Sequence, residues 1–393
     1  MGGDRVVMTE EYVAHSLRLE SLSVETSTSS SPSPTAPLSE IDTPALLLRR
    51  PRLERNIAKM ADRFRDAPVR LRPHFKSNKC VHIARLQLAA GAVGITCAKL
   101  GEAEVLADGG VTDILIANQI VGPIKIARLM ELRRRADVMV AVDDAGNVAA
   151  LSVAATAADV ELRVLVEVDV GMGRCGVQPG EPALALARAV AGSPALRFMG
   201  LQTYEGHLQE VTPFEDRRRR VLADMAKAVQ TRRLIEGAGL PVAIVSGVGT
   251  GTHTISGFIA GIDELQVGSY ATMDAAYARV GGADFENALS VLATVVSRPA
   301  ADVAVVDVGL KNIAAELGVP RVQIEGAEYE EFHEEHGTVI LSGAARELRV
   351  GDKIELIPSH GCTTCNLYDV MHVLDSDDRF VELWPIEGRG KAQ

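Results

Sequence analysis

No apolar run in this chain is long enough to cross a bilayer, because charges or glycines interrupt every candidate before the roughly 18–20 residues a spanning helix needs. The sequence therefore reads as a protein without a membrane partner. Basic tracts are equally scarce. The one dense run is "RRRR", Arg217 to Arg220, in a chain of net charge -11. Nucleic-acid phosphates must be neutralised by a basic face, so no nucleic-acid partner is expected, and the run is expected to be a solvated helix face. Cysteines number only five, an odd count with no recognisable secretory signal. Free thiols in a reducing compartment, the cytoplasm, are expected rather than a disulfide framework.

What is present belongs to a globular protein. Hydrophobic residues make up 47% and charged residues 24% of the 393 positions. That length exceeds one ordinary core, so two domains are expected. Residues 1–40 read as a flexible tail, since "SVETSTSSSPSPTAPLSE" buries too little apolar surface to offset the entropy of ordering it. Ahead of that tract, "MTEEYVAHSLRLESL" has the pattern of a short helix, and its glutamates count against an organelle transit peptide without excluding one.

Over 41–287 short β-branched runs alternate with Ala/Leu/Arg/Glu-rich helical stretches. The strands expected are "VRLRPHF", "VGITCA", "DILIAN", "VMVAVD", "RVLVEVD", "FMGLQTY", "VAIVSG" and "ELQVGSY". Between them, stretches such as "GEAEVLADGG" carry apolar residues at helical spacing and stop at glycine. Eight strands with their helices over roughly 230–250 residues predict a (β/α)8 barrel, with a doubly wound open sheet as the alternative. From 288 to 393 the pattern is of strands with hardly a helix between them, including "LSVLATVVSR", "GTVILSG", "DKIELIPSH" and "RFVELWPI". A smaller, mostly β C-terminal domain is expected there.

A barrel gathers its reacting groups at the carboxyl ends of its strands. Those ends carry Lys76 in "RPHFKSNK", Arg174 in "DVGMGRCG", Tyr204, the loop "SGVGTGTHT" and the loop "VGSY" with Tyr270. Glycines let backbone N–H groups approach an anion, and Ser and Thr hydroxyls add donors. Ser246, Gly247, Gly249, Thr250, Gly268 and Ser269 are thus candidates to cradle one phosphate. A lysine aimed into a phosphate-bearing barrel mouth suits covalent attachment of an aldehyde cofactor, which points to Lys76 and pyridoxal 5'-phosphate.

The segment "PSHGCTTCN" adds His360, Cys362 and Cys365 after a strand-like run. In an extended segment residues two apart share a face, so His360 and Cys362 are able to reach one ion. On spacing alone, a metal pair and ordinary strand-end polar residues both stay open, because structural zinc sites prefer four protein ligands. A Cys362–Cys365 disulfide ranks last, being locally strained.

Together, "RPHFKSNK", "DVGMGRCGV", "SGVGTG", "QVGSY" and "PSHGCTTCN", in that order, resemble the D-threonine aldolase and D-serine dehydratase family, which shares its fold type III barrel with alanine racemases. The resemblance runs from Ile41 to the C-terminus. It implies a pyridoxal-phosphate barrel followed by a β domain, in a homodimer. It further implies that Lys76 carries the cofactor, that Arg174 contacts its phenolic oxygen, that Tyr204 lies near its ring, and that His360 and Cys362 hold one divalent ion, Mn2+, Zn2+ or Mg2+. The expected substrate is a D-β-hydroxy-α-amino acid. The ligand pair resembles the dehydratase branch, since aldolases of the family carry Asp where Cys362 stands, whereas "TTCNLYD" and "ELWPIEGRGK" resemble the aldolases. Retro-aldol cleavage of D-threonine to glycine and an aldehyde is the first expectation, with His360 also taking part in catalysis; dehydration of D-serine or D-hydroxyaspartate is the second. A racemase has no use for the metal pair, and a cofactor carrier has no use for the second domain.

Overall fold

The computed structural model describes residues 32–281 and 284–393. Eight strands pair in parallel: β2 (Arg70–Leu71), β3 (Ile95–Cys97), β4 (Asp113–Gln119), β5 (Asp137–Val142), β6 (Leu162–Val168), β7 (Leu196–Thr203), β8 (Ile244–Gly247) and β9 (Glu264–Leu265). Their order is β2-β9-β8-β7-β6-β5-β4-β3. The sheet closes where the Val93 N–H donates to Leu71 O at 2.9 Å, the Thr96 N–H donates to Pro73 O at 2.8 Å, and His74 and Thr96 form a parallel bridge. Helices such as Leu100–Asp108, Pro123–Arg135 and Phe214–Gly237 cover the outside. The expected barrel is present.

Burial explains the strands. In β4, β5 and β6 the central residues are buried on both faces, as parallel strands between helices and a filled interior must be. Ile114, Ile116, Val138, Val140, Val164 and Val166 pack in the main core under the helices. The alternate residues Leu115, Met139 and Leu165 form a separate interior layer with Ala117, Met199 and Ile244. Below that layer, at the amino ends of the strands, Arg72 is held bidentately by Glu264 at 2.8–2.9 Å and by Asp113 at 2.8 Å, which also accepts from Arg163. Above it, Gln266 donates to Gln202 and to Ser246 Oγ. The barrel is thus plugged from below by ion pairs and apolar side chains, so that ligands have access only from the top.

The second sheet runs β13-β14-β11-β10-β1-β16-β17, with β15 paired to β10 and to β12. Its strands are β1 (Ala45–Arg49), β10 (Leu289–Ala300), β11 (Val303–Val306), β12 (Arg321–Val322), β13 (Ala327–Phe332), β14 (Gly337–Leu341), β15 (Lys353–Ile357), β16 (Val370–Leu374) and β17 (Phe380–Pro385). Alternating burial in β11 and β14 marks strands with one face on a core.

Three sequence expectations change here. Residues Ala45–Arg49 do not open the barrel: β1 pairs antiparallel with β10 and parallel with β16, and its Arg49 is clamped by Glu355 and Asp378. The barrel begins with the helix Arg50–Phe64, and the second domain is built from both ends of the chain. The end of the expected tail is also part of this domain, since Ala36 is buried and exchanges backbone hydrogen bonds with Phe380 through Thr35 N–H and Ala36 O. The rest of that tail and the helix expected before it lie outside the described residues. The "RRRR" run divides: Arg218, Arg219 and Arg220 are exposed, but Arg217 is wholly buried, donating to Val211 O and Gly281 O with its guanidinium over the Phe214 ring. A helix turns one residue in every three or four inward, even in a charged run. Among the described residues no helix is long and apolar enough to cross a membrane.

Candidate active site

The top of the barrel opens into a cavity of about 510 Å³ whose lining includes Lys76, Arg174, Tyr204, Gly249, Thr250, Gly268, Ser269, His360 and Cys362. Residues from both domains meet there. Hydrogen bonds tie the two parts together at the cavity. Asp274, buried at the start of the short helix Ala275–Ala278, accepts from the Gly361 N–H at 2.9 Å, and the Ala275 N–H donates to Pro358 O at 2.9 Å. Burial raises the Asp274 carboxyl above its usual range.

Lys76 sits in a single 3-10 turn, Phe75–Ser77, that follows the extended His74. The His74 Nδ1 accepts from the Lys76 N–H at 3.4 Å. Burial, and then the charges of Lys76 and Arg174, push this imidazole well below its ordinary pKa, so it is neutral at pH 7. The Lys76 Nζ and the Arg174 guanidinium lie over the same Tyr204 ring, 5.7 and 5.6 Å from its centroid. Burial keeps the Tyr204 phenol protonated. Arg174 is carried on a loop tied down from several sides: Asp169 Oδ1 accepts the Gly171 and Gly173 N–H groups, and Asp143 accepts that of Gly176.

Of the six residues expected to cradle a phosphate, four reach the cavity. Gly249, Thr250, Gly268 and Ser269 border the cavity, and the N–H groups of Thr250, Gly268 and Ser269 have no acceptor among the described residues. Val248, in the same loop, takes φ 69°, a left-handed conformation that β-branched residues rarely adopt and that turns successive N–H groups toward one side. A Cβ on Gly268 would stand 2.0 Å from Ser77 Oγ and 3.0 Å from His74 O, so only glycine lets this loop lie against the Lys76 turn. Unpaired donors on a bare, strained loop beside a lysine fit an anionic aldehyde cofactor.

Ser246, Gly247 and Tyr270 lie outside the lining. Ser246 Oγ is buried and accepts from Gln266 at 2.9 Å. Gly247 is required by the barrel wall, where a Cβ would meet Thr203 O at 1.6 Å. The Tyr270 hydroxyl is buried and accepts from Gln87 at 3.0 Å. Each sits next to a lining residue but points into packing.

His360 and Cys362 do come together at the cavity, though not on a strand. His360 is extended and caps the short helix Gly361–Cys365, so Cys362 lies in its first turn. The helix is set by Asp274 and by the Thr364 hydroxyl, which donates to His360 O at 2.8 Å. Burial opposes charge on both side chains, yet their mutual hydrogen bond wins: His360 rises to about 9, helped by Glu316, and Cys362 falls below the usual thiol range, helped also by Lys76. The Cys362 sulfur is 3.8 Å from Ser269 Oγ, which joins the pair to the Gly268–Ser269 loop. Cys365 is buried with its thiol pushed up, and all five cysteines are free. Among the described residues no group of three or more His, Cys, Asp and Glu side chains forms a metal cage. The donor set available is one imidazole and one thiol with a preference for the thiolate, which fits an ion that keeps several positions open.

The lining also includes residues that the motifs did not single out: His74, Gln209, Glu210, Gln266 and Tyr277. His74 was legible beside Lys76; the others carry no local signal. The His333 and His336 hairpin is exposed.

Residues 48–276 match the alanine racemase N-terminal domain and residues 288–374 match the serine dehydratase domain. The chain belongs to this family. It is similar to the 3-hydroxy-D-aspartate aldolase of Paracoccus denitrificans (strain Pd 1222), 40% identical over 365 residues that cover 90% of this chain and 94% of that one. To the D-threonine aldolase of an Arthrobacter species it is 40% identical over 364 residues, covering 91% and 95%. The crystal structure of the D-threonine aldolase from Filomicrobium marinum superimposes with a TM-score of 0.89 at 41% identity, covering 92% of this chain and 99% of that one. A D-threo-3-hydroxyaspartate dehydratase, solved as a cysteine variant in the metal-free form, superimposes with a TM-score of 0.82 at 29% identity, covering 89% and 98%. As a member of this family of alanine-racemase-like enzymes, the protein is a pyridoxal-phosphate-dependent lyase.

Proposed function

We propose that the protein cleaves D-threonine and related D-β-hydroxy-α-amino acids to glycine and an aldehyde, with one divalent ion assisting. The observation that carries this reading is that Lys76, the Arg174–Tyr204 pair and the His360–Cys362 pair border one cavity. Lys76 would carry the cofactor, and the free N–H groups of Thr250, Gly268 and Ser269 would take its phosphate. Pyridoxal phosphate, when bound, supplies an electron sink next to the amino acid's α-carbon. His360 and Cys362 would hold the ion, which would supply Lewis acidity at the β-hydroxyl.

The chain's own groups fit the task. Neutral His74 keeps a second positive charge away from Lys76, which must lose its proton to form a bond through nitrogen. Burial holds the phenols of Tyr204 and Tyr277 protonated, so they donate hydrogen bonds rather than abstract protons. The plugged barrel floor excludes water from below. The two relatives that are 40% identical are named as aldolases, which favours carbon–carbon cleavage.

Cys362 favours a second reading, dehydration to a keto acid and ammonia. The dehydratase relative has been solved with its histidine replaced and, two positions further on, with its cysteine replaced, the latter in a metal-free form. The same spacing separates His360 and Cys362. Product analysis decides between the two readings: purified protein is incubated with pyridoxal phosphate, D-threonine and either Mn2+ or Zn2+. Glycine with acetaldehyde supports the proposal, and 2-oxobutanoate with ammonia supports the second reading.

A further inference from the structure

Glu316 comes from the loop between β11 and β12, 44 residues before His360, and its carboxylate accepts from the His360 Nδ1 at 2.6 Å. The same oxygen accepts from the Thr363 hydroxyl. At 44% side-chain exposure for Glu316 and 24% for His360, this resembles a surface ion pair of small energetic value. Its setting is different. The backbone two residues before Glu316 is latched to the His360 segment by two buried bonds: Ser359 Oγ donates to Ala314 O at 2.9 Å, and the Ala314 N–H donates to Thr364 Oγ1 at 3.2 Å. Ser359 and Thr364 are wholly buried. The loop is therefore built to bring Glu316 to His360, and Thr363 fixes which carboxylate oxygen is used.

We infer that Glu316 is a positioning residue for the metal pair, holding the His360 Nδ1–H so that Nε2 is the nitrogen left to bind the ion. This inference rests on the metal reading given above. A carboxylate on the far nitrogen of a ligating imidazole fixes its tautomer and ring plane and raises its basicity, and loss of such a partner weakens metal binding about 10–100-fold. Nothing in the local sequence around His360 supplies that carboxylate. The loop from the other side of the domain does.

The test is the dissociation constant for Zn2+ and for Mn2+, measured by chelator competition on the cofactor-loaded full chain and its variants. Glu316→Ala is expected to weaken binding about 10–100-fold. Glu316→Gln, which keeps an oxygen acceptor, is expected to lose less, and Thr363→Val to lose less again in the same direction. The absorbance of bound cofactor should be unchanged in all three, which separates a metal effect from misfolding. Wild-type binding with an unchanged constant in Glu316→Ala overturns the inference and leaves the metal reading standing. If the wild type binds neither ion, the metal reading fails and the inference falls with it.

Discussion

The loop proposed to cradle the phosphate lies against the lysine turn because Gly268 lacks a methyl group. In Gly268→Ala, the new Cβ would lie 2.0 Å from Ser77 Oγ, 3.0 Å from His74 O and 3.3 Å from His74 Cβ. Gly268 has an ordinary backbone conformation, so the substitution acts through this contact alone. The Ser77 hydroxyl donates to His74 O at 3.2 Å and is itself held, so the cheapest relief is for the Gly268–Ser269 loop to move away from Lys76. Overpacking of this kind costs about 1–3 kcal/mol. Losing one backbone donor to a phosphate costs a similar amount, about 1.5–3 kcal/mol. At about 1.4 kcal/mol per tenfold change, the affinity for pyridoxal phosphate should fall about ten- to a hundredfold. The assay is a fluorescence titration of cofactor-stripped protein with pyridoxal phosphate and, separately, with pyridoxal. The phosphorylated form should lose affinity and the unphosphorylated form should not. Adding Ser77→Ala removes the 2.0 Å contact and should restore most of the loss. Equal losses for both compounds, or no recovery in the double variant, would refute the placement of the cradle.

Lys76→Ala should lower product formation by about 10²–10⁴-fold and abolish borohydride-trapped labelling, which peptide mapping should place on Lys76 in the wild type. At the barrel floor, Glu264→Ala leaves the buried Arg72 without its bidentate partner and should cost about 3–5 kcal/mol, read from urea midpoints, whereas Arg72→Met with Glu264→Leu should cost less than the single change. Burial works against the charge of Asp113, but Arg72 and Arg163 outweigh it and hold the carboxyl below the usual aspartate value of 3.8. The stability this pairing supplies is full above that value and is lost as pH falls through the depressed native one, so the advantage of wild type over Asp113→Asn should vanish in strong acid; a constant difference down to pH 2 would contradict it. The homodimer that the resemblance implies would give twice the chain mass in light scattering, and a single-chain mass would contradict that expectation.

Much of the fold was legible because the barrel's evidence is local. Runs such as "VMVAVD" and "RVLVEVD" read as strands with helices following within a few residues, and counting eight of them favoured the barrel over a doubly wound open sheet. The membership of Ala45–Arg49 was not local. Its partner β10 lies some 240 residues later, and no pattern in "ALLLR" itself names that partner. Lys76, Arg174 and Tyr204 were legible because each follows a strand end. Within the glycine loops, sequence could not tell Gly268, which faces the cavity, from Gly247, which is needed only where β8 meets Thr203. Spacing alone left His360 and Cys362 open and the family resemblance singled them out, while the backbone that joins them was misread. A five-residue helix capped from Asp274, 87 residues away, leaves no periodicity to see. Glu316 was invisible for the same reason.

Retro-aldol cleavage and dehydration differ in which bond of the substrate breaks first, and D-threonine deuterated at its α-carbon reports that directly. Carbon–carbon cleavage leaves the α-deuterium in place, so glycine sampled at early times should retain it, with acetaldehyde formed in equal amount and no primary isotope effect on the rate. Deuterium released to water with a primary isotope effect, accompanied by 2-oxobutanoate, would contradict the aldolase assignment.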